Sequence, residues 1–159
     1  MPSRTSTPEP IDSPTRRRLP LLLRRAWYGL NQAFRRRITH LNLTPDQFTV
    51  LRTLLEGDAK GMTQRELSRT MSSDPNTVAS LLERMEKAGY VERLPHERDR
   101  RAHRIKLMPK GEKTYEAARA VAVKLQAELL TILPEGNREQ FLEHLALVAD
   151  ACREAAEKK

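Results

Sequence analysis

The chain has 159 residues, of which 38% are hydrophobic, 31% are charged and one is a cysteine. This length predicts a single domain with at most a small addition, and one cysteine excludes a disulfide framework within the chain. The 29 Lys and Arg residues exceed the 21 Asp and Glu residues and give a formal net charge of +8. No apolar run approaches the roughly 20 residues that span a bilayer. We therefore expect a soluble, cytoplasmic protein that is not bound to a membrane.

The positive charge is concentrated in two stretches. Residues 90–110 hold seven Lys and Arg residues against three Asp and Glu residues, and a second cluster runs from Arg16 to Arg37. Localised positive charge attracts a polyanion, since counterions released from nucleic acid drive binding. A polybasic patch on a membrane surface is the alternative. Because the charge clusters around turn residues, nucleic acid is favoured over a merely solvated face.

Residues 1–18 are predicted to form a disordered basic tail, because their Pro, Ser and Thr residues cannot build a core. A long amphipathic helix follows, and its apolar residues recur every three or four positions along a single seam. The members of this seam are Leu19, Leu23, Trp27, Leu30, Phe34, Ile38 and Leu41. Such a seam needs another surface to pack against.

Three further helices are predicted from their start and stop signals. Residues 44–47 and 63–66 each read as a capping box, and Asp74 followed by Pro75 signals a third helix start. Gly89 suits the left-handed position that ends this third helix. The apolar side of the third helix comprises Val78, Leu81, Leu82 and Met85.

Two short helices joined by about three residues match a helix-turn-helix. After the second of them the hydrophobic period changes from 3.6 to 2, which predicts strands at 90–93 and 103–107. The loop between these strands is strongly basic, so the hairpin is interpreted as a wing. Helical periodicity returns at Gly111, and Pro134 and Gly136 are predicted to separate the last two helices.

Several side chains of the helix-turn-helix have the chemistry to bind DNA. Asn76 can pair with adenine, the Thr77 methyl group can contact thymine, and Ser80 can bond to either base. Arg84 is predicted to contact a phosphate or a guanine. A polar first turn without any such role is the alternative for Asn76 and Thr77. Backbone amides near helix starts favour phosphate oxygens and add further candidates, namely Thr63, Gln64, Ser72 and Ser73.

The wing loop offers guanidinium groups for the narrow minor groove. The candidates are Arg98, Arg100 and Arg101. Asp99 can orient a neighbouring arginine through a charge-assisted hydrogen bond, or it can be an ordinary turn-forming residue. Spacing alone leaves both interpretations open.

The sequence resembles the MarR family of winged-helix transcriptional regulators. The likeness is carried by the wing segment Asp99-Arg100-Arg101-Ala102-His103-Arg104-Ile105-Lys106-Leu107, and also by residues 82–93 and 43–51. The resemblance implies a mainly α fold with a small β-hairpin wing. It also implies that Asp99 braces Arg101 and that Arg101 enters the minor groove.

The resemblance further divides the chain by role. Residues 44–110 are expected to form the winged helix-turn-helix lobe, and residues 19–43 and 111–159 a helical dimerisation region. We therefore expect a homodimeric repressor on double-stranded DNA at a pseudo-palindromic operator. An architectural or partner-docking winged-helix protein without effector control is the alternative.

Relatives in this family release DNA when a small effector binds, and an aromatic acid or its thioester is expected here. Polar and aromatic residues of the first helix that lie off the seam are candidates for the effector site, namely Tyr28, Asn31, Arg35 and His40. Trp27 and Phe34 fall on the seam and are instead predicted to be dimer core.

Catalysis and metal binding find no support in the sequence. We find no phosphate-binding glycine loop, nucleophile elbow or two-histidine helix motif, and the four histidines lack Cys or Glu partners at metal-ligand spacing. We expect neither an enzyme nor a cofactor. Cys152 lies on the apolar stripe of the last helix and is predicted to be a buried structural residue.

Overall fold

The computed structural model describes residues 10, 13, 14, 16–99 and 101–158. Most of the predicted N-terminal tail therefore lies outside the described residues. No helix in the described part of the chain is long and apolar enough to cross a membrane. In chain order the elements are α1 (Leu19–Arg37), a 3₁₀ turn (Thr39–Leu41), α2 (Pro45–Glu56), β1 (Met62–Thr63), α3 (Gln64–Thr70), α4 (Pro75–Lys87), β2 (Val91–Pro95), β3 (His103–Leu107), α5 (Pro109–Leu130) and α6 (Glu135–Glu157).

Local capping chemistry starts the helices of the lobe, as the sequence predicts. At the start of α2, the Gln47 N–H donates to Thr44 Oγ1 at 3.2 Å, and the Thr44 N–H donates to Gln47 Oε1 at 2.9 Å. At the start of α4, Asp74 Oδ1 accepts from the backbone N–H groups of Asn76 and Thr77 at 2.9 and 3.0 Å. Each cap stabilises its helix by about 1 kcal/mol. The start of α4 is therefore fixed by its own sequence.

A third strand joins the predicted hairpin. The sheet is antiparallel in the order β1-β3-β2, and Met62 pairs with Ile105 while Thr63 pairs with Arg104. Gly61 precedes β1 with a φ of 91°, and a Cβ there would lie 2.5 Å from the Ile105 carbonyl oxygen. Only glycine adopts this conformation so close to another backbone without strain. The sequence did not predict β1, because two residues are too few to show a period.

The lobe core is built from one side of each helix. Three aromatic rings join α1, α2 and the first turns of α5, since Phe34 packs edge-on against Phe48 at 4.9 Å and Phe48 stacks on Tyr115 at 5.3 Å. The apolar side of α4 is buried as its periodicity predicts. The largest fully buried side chains are Ile38, Val50, Leu51, Leu67, Val78, Leu82, Met85 and Ile105.

The chain divides into two compact units, and the boundary falls inside α5 after Tyr115. The first unit contains α1 together with the predicted lobe, because Phe34 packs into the core of that lobe. The second unit contains the rest of α5 and α6. Leu125 of this unit is buried, whereas none of the α6 residues is. The dimerisation role of α1, α5 and α6 stays a prediction.

Two predictions about the last helices are wrong. Cys152 is exposed rather than buried, because the stripe of α6 on which it lies is not buried within the chain. Gly136 does not separate the helices, since the break lies between Leu130 and Glu135 and Gly136 falls in the first turn of α6. Pro134 is the residue that precedes α6, which agrees with its lack of a backbone donor.

Replacing glycine by alanine should have opposite effects on stability at Gly111 and at Gly29. A Cβ on Gly111 would collide with the carbonyl oxygen of Tyr90, whereas Gly29, in the middle of α1, has no such neighbour within 4 Å. Gly111→Ala should lower the free energy of unfolding by about 1–3 kcal/mol through overpacking. Gly29→Ala should raise it by about 0.5–1 kcal/mol through helix propensity. Urea denaturation measures both, and shifts of the same sign would contradict the close approach at Gly111.

Candidate nucleic-acid interface

The outward side of α4 carries the residues predicted to contact bases. Asn76, Ser80 and Arg84 are spaced four residues apart and lie on one side of the helix, with Thr77 beside them, and all four are exposed. The opposite side of α4 is buried, so this is the side available to a partner. Arg84 Nε donates to the Ser80 carbonyl oxygen at 3.3 Å, which directs the guanidinium along the helix.

Asp74 organises the first turn of this surface. Its carboxylate binds the backbone N–H groups of Asn76 and Thr77 and lies 3.4 Å from Thr77 Oγ1. The cap uses the backbone of Asn76, so the side-chain amide is left to bind a partner. The local geometry is thus compatible with the bidentate adenine contact that the sequence predicts.

Glu66 holds the start of α3. The Thr63 N–H and hydroxyl donate to Glu66 Oε2 at 2.7 and 2.8 Å, and the Glu66 N–H donates back to Thr63 Oγ1 at 3.2 Å. The bond from the Thr63 N–H, and next that from its hydroxyl, lower the pKa of Glu66. Burial opposes them, and the charges of Arg104 and His96 add smaller lowering effects. The Thr63 hydroxyl is therefore already engaged within the protein.

The other predicted phosphate contacts lie at the junction between α3 and α4. Gln64 Nε2 donates to the Pro75 carbonyl oxygen at 3.1 Å and ties the two helices together. Ser72 is exposed and adopts a left-handed φ of 51°. The Ser73 hydroxyl donates to the Met71 carbonyl oxygen at 3.2 Å. The structure therefore brings Gln64, Ser72 and Ser73 to one junction beside the α4 surface.

A groove of about 450 Å³ lies where α3 meets the start of α4. It is lined by Gln64, Arg65, Ser68, Arg69, Ser73 and Pro75. Arg65 and Arg69 are one turn apart on α3 and are both exposed. Neither arginine was predicted from the sequence to contact DNA, although their i, i+4 spacing opposite the buried Leu67 is a helical pattern that could have revealed them.

Asp99 acts as a turn-forming residue in the wing. Its carboxylate accepts from the backbone N–H of Arg101 at 2.9 Å, and its carbonyl oxygen accepts from the Ala102 N–H at 3.1 Å. Arg98, Asp99 and Arg101 are exposed, and Arg100 lies outside the described residues. A brace between Asp99 and the Arg101 guanidinium stays a prediction, since the bond in this structure comes from the Arg101 backbone.

Two ion pairs fix the base of the wing. Arg104 Nη1 donates to the Gly61 carbonyl oxygen at 3.0 Å, and its Nη2 lies 3.5 Å from Glu97 Oε2. Arg93 Nε lies 3.1 Å from Glu86 Oε2, which joins β2 to α4. The sequence predicted no role for Arg93 and Arg104 beyond net charge. Their partners are distant in sequence or on another element, and so no local pattern revealed them.

Three of the four candidate effector residues share one side of α1. Tyr28, Asn31 and Arg35 have the spacing i, i+3, i+7, and Tyr28 is 67% exposed. His40 is exposed but lies beyond the end of α1, in the 3₁₀ turn. In the part of the chain that the structure describes, no three His, Cys, Asp or Glu side chains are grouped as metal ligands.

Trp27 and Phe34, which were predicted together as dimer core, differ in their surroundings. Trp27 is 61% exposed, whereas Phe34 is 8% exposed and contacts Phe48. Phe34 therefore belongs to the core of its own lobe, and the prediction for it is wrong because α1 packs on α2 at this end. The dimer role of Trp27 stays a prediction.

These features define the class of protein: a winged helix-turn-helix protein in which α3 and α4 form the helix-turn-helix and β2 and β3 form the wing. Comparison with known proteins then gives the family. The chain belongs to the MarR family, whose family model matches residues 43–103.

Two curated relatives are named as transcriptional regulators. The HTH-type transcriptional regulator BilQ of Clostridium symbiosum is 33% identical over 85 residues, which cover 54% of this chain and 59% of BilQ. The transcriptional regulator HosA of Escherichia coli O127:H6 is 29% identical over 127 residues, which cover 77% of this chain and 93% of HosA. The match thus spans little more than half of BilQ but most of HosA.

A solved relative is similar over most of its length. The structure of the transcriptional repressor CouR bound to a 23-mer DNA duplex has a TM-score of 0.75 and 30% identity, and the match covers 82% of this chain and 92% of that chain. A structure of CouR from Rhodococcus jostii RHA1 bound to p-coumaroyl-CoA matches with a TM-score of 0.71 and 23% identity, covering 82% of this chain and 90% of that chain.

The start of α3 is predicted to be sensitive to acid. The pKa of Glu66 in the folded protein lies below its ordinary value of 4.5, so its bonds contribute stability above that value, and this contribution is lost as the pH falls through the folded pKa. Glu66→Gln keeps an acceptor, as Gln47 does in α2, but does not titrate. Between about pH 5 and pH 3, the urea midpoint of the wild type should fall more steeply than that of Glu66→Gln. If the urea midpoints of the two proteins fall equally with pH, the assignment of a lowered pKa to Glu66 is contradicted.

Proposed function

We propose that this protein is a sequence-specific DNA-binding transcriptional regulator. The observation that carries the proposal is the two-sided α4, which buries its apolar side and presents Asn76, Thr77, Ser80 and Arg84 to solvent. A helix of this kind fits the major groove, where each base pair has a distinct pattern of donors and acceptors. The names of BilQ and HosA and the DNA-bound structure of CouR support the same function.

The contacts divide into base readout and backbone positioning. Asn76, Thr77 and Ser80 contact base edges, and Arg84 contacts a guanine or a phosphate. The groove beside α4 adds Arg65 and Arg69 to the phosphate contacts that the sequence assigns to Thr63, Gln64, Ser72 and Ser73. The exposed arginines of the wing, Arg98 and Arg101, reach the minor groove, whose potential is most negative where it is narrow.

The protein acts as a homodimer in this proposal. Trp27 and Leu30 on α1 are exposed, as are Phe141, Leu145 and Leu147 on α6. Exposed apolar side chains in this number mark an interaction surface, and a second copy of the chain is the partner that the MarR family implies. Two-fold symmetry then requires a pseudo-palindromic operator, with half-sites about one helical turn apart.

We further propose that the protein is a repressor released by a small effector. The shared side of Tyr28, Asn31 and Arg35 offers an aromatic ring, an amide and a cation, which suit an aromatic acid or its thioester. The p-coumaroyl-CoA in the CouR structure is a ligand of this class. Arg35 binds the anionic group and Tyr28 stacks on the aromatic ring.

Fluorescence anisotropy with DNA from upstream of the protein's own coding region tests this function. We expect tight binding in excess nonspecific competitor DNA, and loss of binding when one compound from a panel of aromatic acids and their thioesters is added. Tight binding that no compound abolishes would contradict the effector proposal alone. Weak binding that does not depend on the DNA sequence would contradict the proposed regulator function and favour an architectural or partner-docking protein.

Arg101→Ala tests the wing contact. Removing one charge at a phosphate-lined groove should weaken operator binding and reduce the slope of log Kd against log salt by about 1. Arg153→Ala on α6 is the matched control, since Arg153 is exposed, carries the same charge and pairs with Asp150 at 3.1 Å. Affinity and salt slope equal to those of the control would contradict a role for Arg101 at the DNA.

Asn76→Ala tests base readout. The loss of a bidentate pair should cost about 1–3 kcal/mol on the preferred operator and remove discrimination at one position of each half-site. Competition between operators substituted at single positions measures this. If the variant weakens binding to every operator equally, Asn76 contacts the backbone instead.

A further inference from the structure

The tip of the wing closes around a histidine side chain. His96 Nδ1 accepts from the backbone N–H groups of Arg98 and Asp99, both at 3.2 Å. Separately from the ring, the backbone N–H of His96 donates to the Ala102 carbonyl oxygen at 3.3 Å, across the mouth of the loop. A ring nitrogen thus occupies the position of the carboxylate or amide oxygen that usually caps a turn from within.

We propose that His96 is a positioning residue for DNA binding, whose unprotonated ring holds the wing tip in the conformation that presents Arg98 and Arg101. Protonation of the ring releases this cap and makes the wing sensitive to pH. The proposal rests on the proposed DNA-binding function and adds a regulation of it.

The chemistry of the ring gives the cap its dependence on protonation. A neutral imidazole has one acceptor nitrogen, and here it is Nδ1, so the proton is on Nε2. In the imidazolium both nitrogens are donors, and Nδ1–H would then point at the N–H groups of Arg98 and Asp99. Both bonds are lost in that state, and the three donors repel one another. Imidazole is the side chain that as a type changes charge between about pH 5 and 8, which sets the pH values chosen for the test below.

Charges of both signs surround the ring. His96 is close enough to Glu66 on α3 for its charge to lower the pKa of that carboxyl. The other ionisable groups near it along the loop and on β3 are Glu97, Arg98, Asp99, Arg101, His103 and Arg104. Loss of the two backbone bonds is the specific consequence of protonation at this site.

The cap affects DNA binding because it keeps the wing tip ordered before DNA is bound. Arg98 and Arg101 are exposed, and their backbone N–H groups donate to His96 Nδ1 and to the Asp99 carboxylate respectively. A loop that is ordered before binding loses less conformational entropy on the DNA than one that must be ordered there. Opening of the tip should therefore weaken operator binding even though protonation adds a positive charge.

Three variants of the protein separate the effect of the cap from the effect of charge. His96→Asn places an amide oxygen where Nδ1 lies and does not titrate, His96→Ala removes the acceptor, and His103→Asn is the matched control on the neighbouring strand. Operator Kd is measured by anisotropy at about pH 8 and about pH 5.5 at constant salt. We expect His96→Ala to weaken binding about fivefold at the higher pH, and His96→Asn to stay within about twofold of the wild type.

The pH profile gives the decisive comparison. Operator affinity of the wild type and of His103→Asn should fall about fivefold on acidification, and that of His96→Asn should not. The proposal is overturned if His96→Asn weakens binding as much as His96→Ala does, or if it keeps the pH dependence of the wild type.

A measurement without DNA distinguishes this proposal from the proposed function. The amide resonances of Arg98 and Asp99 in the free protein should shift as His96 titrates in the wild type, and should be constant in His96→Asn. If these resonances shift but no operator is bound, the cap exists and the DNA-binding function is wrong. If they do not respond to pH in the wild type, His96 does not cap the wing and the proposal fails.

Discussion

Burial of the apolar side of α4 is the interaction on which the rest of the lobe depends. Val78, Leu82 and Met85 are completely buried in the core of the first unit. Each such side chain contributes about 1.5–3 kcal/mol when it leaves water, so rotating α4 to expose all three would cost at least about 4.5 kcal/mol. Because one side is held inward, the side that carries Asn76 and Arg84 must face solvent. The proposed recognition surface is therefore a consequence of core packing.

The wing is joined to this core by contacts between distant parts of the chain. Ile105 of β3 is buried, and the strand pairs on one edge with β1 and on the other with β2. Arg104 bonds to the Gly61 carbonyl oxygen, and Arg93 pairs with Glu86 on α4. These contacts set the direction of the hairpin relative to α4, while Asp99 and His96 shape its tip. The proposed DNA contacts need both sets of interactions, because the long-range contacts position the wing and the local ones present its arginines.

The apolar residues of α1 have two different environments. Phe34 completes the core of its own lobe, whereas Leu30 and Trp27, one and two turns earlier, are exposed. A helix with a continuous apolar seam that is buried at one end only has surface left for another partner. The exposed Phe141 and Leu147 of α6 give the second unit the same property. Both helices are thus suited to the proposed homodimer.

The sequence by itself determined the features that depend on neighbouring residues: the caps at Thr44 and Asp74, the buried side of α4 and, through it, the exposed residues that are proposed to read bases. Capping and helical periodicity act within a few positions, so one chain is enough to predict them. Only the tertiary structure decided that β1 joins the sheet, that Phe34 lies in its own lobe and that Cys152 is exposed. It also placed Arg65 and Arg69 in a groove with Ser73. These features depend on which distant surfaces meet, and burial and long-range pairing have no local signal.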